Sequence, residues 1–305
     1  MNNVQSVRMR GRKHSRVMST AVLGVTALSM MLSACGTSGP SASSNSSSSA
    51  GSSSTAARIT VTNCGKKVSY DHRADRIVAT SNSANIGTLM KIGAVDDLAA
   101  VSLKKGNDAV MTALYGPGIE KVQRLDSPIS MESIVATSPN LLIGSYSGLF
   151  AGASGVTQET AAQKGIPTYV ISDSCRQDPS AGASSKLGTM GPWDAVRTDL
   201  ANYGELTGHQ KQAAAARTEL DGQLDALEKA PKAKAKPKVL LFDSGTDQLY
   251  TSGHNGPPQG IIDAAGGENV FASQDTTWFK ASWESGRADQ ARCHRGDGLP
   301  PGRSQ

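Results

Sequence analysis

From Arg58 onward the chain is built of short apolar runs separated by polar, glycine-bearing loops. Residues 59–63 and 67–70 alternate apolar and polar positions around Cys64-Gly65-Lys66, which predicts a hairpin. Ile77-Val78-Ala79, inside the strand expected over 76–80, runs into Ser81-Asn82-Ser83, a cluster of helix-capping residues. Residues 84–92 then carry Ile86, Leu89, Met90 and Ile92 at helical spacing and stop at Gly93. The unit recurs: 131–136 reads as helix, 140–143 as strand, 156–164 as helix and 168–171 as strand. Strand, helix, strand with short loops requires parallel pairing, because each chain return needs a crossover. Residues 58–192 are therefore expected to form an α/β lobe.

Residues 193–230 are helical for longer than any other segment. Leu200, Tyr203 and Leu206 form one stripe and Leu220, Leu224 and Leu227 another, with Gly208 as the break between two helices. Lysines at alternate positions between Pro231 and Pro237 read as a solvated connector. A new strand over 238–242 opens a second α/β lobe, expected to span 231–285, with a helix over 259–265 stopped by Gly266-Gly267.

The first 57 residues bear on where the chain works. A basic stretch ending at Arg16 precedes an apolar run over 17–31 and then Leu32-Ser33-Ala34-Cys35. The run is too short for a comfortable membrane span and suits a signal segment. Small residues before a cysteine suit a lipoprotein signal, so 1–34 is expected to be removed and Cys35 to carry lipid. Residues 35–57 follow as a tether, with eleven serines between Gly36 and Ala57 and no aliphatic side chain beyond alanine. The expected location is the outer face of the cell membrane. The formal charge of +5 is matched by Arg8, Arg10, Arg12, Lys13 and Arg16 of the signal. The remainder is near neutral, and with 4% aromatics it carries no nucleic-acid signature.

Of the four cysteines, Cys64 and Cys175 are the pair inside the folded region; Cys293 lies in the C-terminal tail. Outside the membrane that pair is expected as a disulfide, the alternative being two buried thiols. No GxSxG, P-loop or HExxH motif is present, and His72, His209 and His254 have no carboxylate or cysteine at ligand spacing. Each histidine is expected to face solvent or cap a turn, and His254, in a glycine-rich loop, is kept as a weak ligand contact. No metal site, cofactor or catalytic residue is expected, which argues against a hydrolase.

Four stretches, in order, carry a family resemblance: Arg76-Ile77-Val78-Ala79 with Met90 to Ala94; Met131-Glu132-Ser133-Ile134-Val135 leading to Pro139-Asn140-Leu141-Leu142-Ile143; Tyr203-Gly204-Glu205-Leu206-Thr207-Gly208; and Ala265-Gly266-Gly267-Glu268-Asn269-Val270-Phe271 with Trp278 and Ser282-Trp283-Glu284. Over 59–284 the chain resembles the periplasmic-binding-protein family that serves ATP-driven importers of iron-siderophores, cobalamin and haem. Asn140 departs from the aspartate usual after that proline, and Asn85 stands where many members have glutamate. The resemblance implies two parallel-sheet α/β lobes joined by a long rigid helix, with ligand in the cleft between them. It implies a non-enzymatic, monomeric protein that delivers a ferric siderophore to an ABC importer permease. Cobalamin, haem or another cofactor-sized ligand is the alternative cargo, and a non-functional truncated form the alternative state.

Loops at the C-terminal ends of parallel strands face such a cleft. That rule selects Ser81, Asn82, Ser145 and Tyr146 in the first lobe and Ser244, Tyr250, His254 and Trp278 in the second. By resemblance, Glu132 and Glu284 are the two acidic residues that meet arginines of the permease. The resemblance ends after Ser285, and 286–305 holds one leucine among arginine, glycine and proline. One reverse translation of 286–297, read one nucleotide later, gives Val-Val-Pro-Thr-Lys-Pro-Asp-Val-Ile-Val-Val. A frameshift near Ser285, a disordered tail and an incomplete second lobe are the resulting expectations.

Overall fold

A hairpin leads into a parallel sheet. In the computed structural model, which describes residues 58–80, 83–103 and 105–287, β1 (Ile59–Asn63) pairs antiparallel with β2 (Lys66–Tyr70). The turn passes through Cys64 and Gly65, both at positive φ (47° and 75°). Next come β3 (Ile77–Ala79), α1 (Ser83–Lys91), β4 (Leu98–Val101), α2 (Asp108–Tyr115), β5 (Gln123–Arg124), α3 (Met131–Val135), β6 (Leu141–Gly144), α4 (Gln158–Gln163) and β7 (Thr168–Val170). The five strands from β3 to β7 form one parallel sheet in the order β5-β4-β3-β6-β7.

β3 and β6 at the centre of the sheet read as unbroken apolar runs because they are covered on both faces. Alternate residues still choose sides. Ile77, Ala79, Val101, Leu141, Ile143 and Tyr169 enter one core, and Val78, Ala100, Leu142 and Val170 enter the other with Ile134 and Ala161 from α3 and α4. Asn140, at the entry to β6, pins the edge of this arrangement. Its Oδ1 accepts from the backbone N–H of Asp75 (3.3 Å) and Arg76 (3.0 Å), and its Nδ2 donates to Arg73 O (3.0 Å) and Asp75 Oδ1 (2.8 Å). An amide supplies both donors and acceptors here, which a carboxylate could not.

α5 (Pro192–Thr207) and α6 (Gln210–Lys229) follow, separated by Gly208 at φ 74°. The connection is a packed pair of helices rather than one long helix. At Gly204 they approach so closely that a Cβ would sit 2.6 Å from that of Ala213. Leu200, Tyr203 and Leu206 are buried in the first core, as their spacing predicts. The second leucine stripe differs: Leu220 is half-buried, Leu227 is 44% exposed, and α6 buries Ala213 and Ala216 instead. Small residues let α6 lie close to α5, and that contact moves the buried face off the leucines. His209 is also not a plain surface or capping residue. Its Nε2 lies 3.0 Å from Asp97 Oδ2, while Arg73 Nη2 donates to Asp97 Oδ1 at 2.6 Å, so a carboxylate remote in sequence ties the α5–α6 turn to the sheet.

The second half departs further from expectation. β8 (Lys238–Val239), β9 (Leu249–Ser252), α7 (Pro257–Ala264), β10 (Glu268–Asn269), β11 (Trp278–Ala281) and α8 (Trp283–Arg287) complete the described elements. Only β8 and β10 pair parallel; β9 and β11 pair antiparallel. The run expected as one strand over 238–242 leaves β8 after Val239 and turns to meet β9, with Asp243 N–H donating to Tyr250 O (3.1 Å) and a bridge between Ser244 and Tyr250. Gly245 permits that return: its φ is 110°, and a Cβ there would meet Gln248 O at 1.9 Å. The helix of α8 continues through Ser285 to Arg287, with Gly286 buried, so ordered chain extends past the expected break. The remainder of the expected tail, like the signal segment, Cys35 and the tether, lies outside the described residues.

Candidate functional site

The C-terminal rim of the parallel sheet carries the first-half candidates. Ser81 and Asn82 lie outside the described residues. Ser145, directly after β6, is buried and shapes a turn: its carbonyl accepts from the N–H groups of Gly148 (3.2 Å) and Phe150 (2.9 Å), and its Oγ accepts from Ser147 Oγ at 3.3 Å. Tyr146 is held on several sides. Its hydroxyl donates to Gln158, the Arg176 guanidinium carbon lies 3.9 Å from its ring centre, and its backbone N–H donates to Ser174 Oγ at 2.6 Å. Both residues therefore shape the rim.

In the second half, the β9–β11 register sorts side chains by face. Leu249 and Ala281 join a small core with Phe279 packed against it, which leaves Tyr250, Ser252, Trp278 and Lys280 on the opposite face. Tyr250 and Trp278 stack there with ring centres 5.7 Å apart and planes at 19°, a diagonal cross-strand pair. Burial, then the nearby Asp243 carboxylate, raises the Tyr250 hydroxyl above its ordinary range. Ser244 is exposed and donates to Asp243 Oδ2 at 2.9 Å. His254 is exposed beyond the end of β9, its backbone N–H on Gln274 O at 2.8 Å. The antiparallel β9–β11 pair, with the turn before β9, thus brings Ser244, Tyr250 and Trp278 together as a half-buried aromatic surface able to stack a flat or bulky ligand.

Glu132 and Glu284 share one local design in different halves. Each is exposed and sits in Ser-x-Glu-Ser, Ser130 to Ser133 and Ser282 to Ser285. In both, the N–H of the second serine donates to the Oγ of the first (3.2 and 3.1 Å), and its own hydroxyl donates to the first serine's carbonyl (2.8 and 2.7 Å). Hydrogen bonding to its own backbone, then to the serine hydroxyl, holds each carboxyl below its ordinary range.

The sequence reading missed the segment after β7. Ser172-Asp173-Ser174 forms a 3-10 turn at the same rim, and the strand-end rule that selected Ser145 would have selected it too. Asp199 of α5 reaches this turn, accepting from Tyr169 Oη (2.6 Å), Ser172 Oγ (2.6 Å) and Ser172 N–H (3.2 Å). Burial pushes Asp199 up to about 7 and Asp173 up to about 6; Asp173 Oδ1 is buried without a hydrogen-bond partner. An unfolded aspartate releases its proton near about 3.9. Between that value and the folded ones the native state binds more protons, so their contribution to stability is full below about pH 4 and is lost as pH rises through 6 and 7. Asp199→Asn is expected to flatten this decline by about 1.4 kcal/mol per pH unit crossed. Urea midpoints of wild type and variant at pH 5 and pH 8 check this, and an equally steep fall in the variant refutes it.

Among the described residues no group of three or more His, Cys, Asp and Glu side chains could hold a metal ion, and no helix is long and apolar enough to cross a membrane. Cys64 and Cys175 are joined in a disulfide, as their shared location led us to expect.

Parallel α/β layering with a helical pair leading to a second α/β half defines a binding-protein type of fold. The chain belongs to the periplasmic binding protein family, whose model matches residues 78–292. It is similar to a chain of an ABC-type Fe3+-hydroxamate transport system from Saccharomonospora viridis, with 26% identity, 74% of each chain covered and a TM-score of 0.55. A periplasmic binding protein from Veillonella parvula aligns with a TM-score of 0.58 at 19% identity, covering 76% of this chain and 74% of that one. A vitamin B12-binding protein of Yersinia pestis is 24% identical over 187 residues, 59% of this chain. The alignment spans 58% of the length of that curated relative. The family is one of binding proteins, in agreement with the reading of the chain as a non-enzyme.

Proposed function

We propose that the protein is an extracytoplasmic substrate-binding protein that captures a metal chelate or a cofactor-sized macrocycle and presents it to an ABC importer. The family match across residues 78–292 carries this reading. The paired Ser-Glu caps, one in each half, support docking to a permease through Glu132 and Glu284. Within the ligand class a ferric hydroxamate siderophore is the first choice, favoured by the likeness to the chain of the Fe3+-hydroxamate transport system. The likeness to the vitamin B12-binding protein supports a cobalamin-sized ligand as the second reading. Tyr146, with Ser81 and Asn82 on the sequence reading alone, would form one wall of the cleft, backed by the buried Ser145, and Ser244, Tyr250, His254 and Trp278 the other. Attachment through a lipid on Cys35 completes the proposal and rests on the sequence alone.

Tryptophan emission tests it. Titration with ferrioxamine B, a ferric catecholate, haem and cobalamin is expected to give saturable quenching with one of them, and Trp278→Phe is expected to remove most of that signal. Saturable quenching by none of the four overturns the proposed ligand class.

A further inference from the structure

The segment that follows the disulfide touches both halves of the molecule. Cys175 begins an arm that folds back on itself: Gln177 N–H donates to Lys186 O (2.9 Å), Gly188 N–H donates to Cys175 O (2.8 Å), and Arg176 bridges Leu187. On its first-half side, Arg176 covers the Tyr146 ring and Ser174 Oγ accepts the N–H groups of Tyr146 (2.6 Å) and Ser147 (3.3 Å). On its second-half side, Leu187 O accepts from Thr277 N–H at 3.0 Å, the residue before Trp278. Gln177 Nε2 donates to Gly188 O (2.9 Å) and Asp275 O (3.1 Å), and Asn255 Nδ2 donates to Asp275 Oδ1 (2.7 Å). Gly188 is the point of closest approach: at φ 94°, a Cβ would meet that of Asn255 at 2.4 Å and Thr277 Cγ2 at 2.9 Å.

We infer that residues 175–188 form a strap, rooted by Cys64–Cys175 in the N-terminal hairpin, that sets the position of both walls of the cleft. Gln177 is its positioning residue. Its positioning role rests on the proposed function, which supplies the cleft; its contacts stand without it. A helical pair alone leaves two halves free to rock, whereas a second crossing, fixed at its root by a covalent bond, restricts that motion to what the Gly188 contact allows.

Hydrogen exchange of the full chain without ligand tests the strap. In Gln177→Ala, the amides of Gly188 and Thr277 are expected to exchange at least ~10-fold faster while β3 and β6 keep their protection. Cys64→Ala/Cys175→Ala is expected to extend the loss to residues 175–178. Gln177→Lys, which restores an N–H donor, should recover most of the protection, and Gln177→Glu should not. Unchanged exchange at Gly188 and Thr277 in Gln177→Ala overturns the strap, as does an equal loss across β3 and β6. Whichever of the four probes named above binds wild type then reads the positioning role: its affinity should fall about tenfold in Gln177→Ala with an unchanged melting temperature. Exchange that moves with no change in affinity overturns that role. If wild type binds none of the four probes named above while the exchange pattern holds, the ligand class fails and the strap stands.

Discussion

Glu132→Arg and Glu284→Arg are each expected to abolish import of the ligand by cells while leaving its affinity for the purified protein within a few-fold. Both carboxylates are exposed and lie outside the cleft-rim loops, each in the first turn of a short helix. A serine cap fixes both helices, so the substitutions alter charge with little change in shape. Two fixed acids, one per half, present a spacing that depends on how the halves are disposed, and a permease with matching arginines can read it. Reversal replaces attraction with like-charge repulsion, which costs several kcal/mol at a desolvated contact and suppresses docking. Cellular uptake of an iron-labelled chelate, beside a solution titration of the same variant, gives the answer. A loss of affinity in solution would falsify the docking role and assign the residue to the site or to the fold.

Removal of the disulfide by Cys64→Ala/Cys175→Ala should lower stability by about 4–5 kcal/mol in the chain-entropy view, because the bond closes a loop between residues 111 apart. For a chain of this size that is a fall in melting temperature of roughly 10–15 °C. Scanning calorimetry of the variant beside the oxidised wild type checks it. A fall of under about 3 °C would mean that the bond does little to restrict the unfolded chain.

The parallel sheet was legible where strands are buried on both faces. Ile77-Val78-Ala79, Leu141-Leu142-Ile143 and Tyr169-Val170 stand out as apolar runs because no face needs polar residues. β4 was not seen, since two of its four residues are alanine, and β5 is only Gln-Arg. α2 escaped because Val110 and Leu114 are exposed, so its apolar residues do not mark one buried face. In the second half the strand-end rule treats Tyr250 and Trp278 as loop residues. They are cross-strand partners whose alternation with Leu249, Thr251, Phe279 and Ala281 is a plain two-residue period. Asp199 had a weak signal: with Asn202 and Tyr203 it lies on the inward face of α5, where a charged residue implies a partner contributed by distant chain. Long-range pairs such as Asp97 with His209 leave no trace in local spacing.

The interior is divided unequally. Two large buried clusters serve the parallel sheet, whereas the second half gathers Leu249, Phe271 and Ala281, with Leu240, Val270, Phe279 and Trp283 only partly covered. Cooperative units open in order of the apolar area that holds them, so the weaker one reaches a partly open state while the rest remains native. Denaturation is then expected to loosen the β9–β11 pair ahead of the parallel sheet, whose main transition carries the urea and calorimetric midpoints. In that partly open form Phe242, already 54% exposed in the native state, is an expected site of nicking in limited proteolysis. A ligand held against the Tyr250–Trp278 face would suppress this opening by mass action and so lengthen the lifetime of the loaded molecule relative to the empty one.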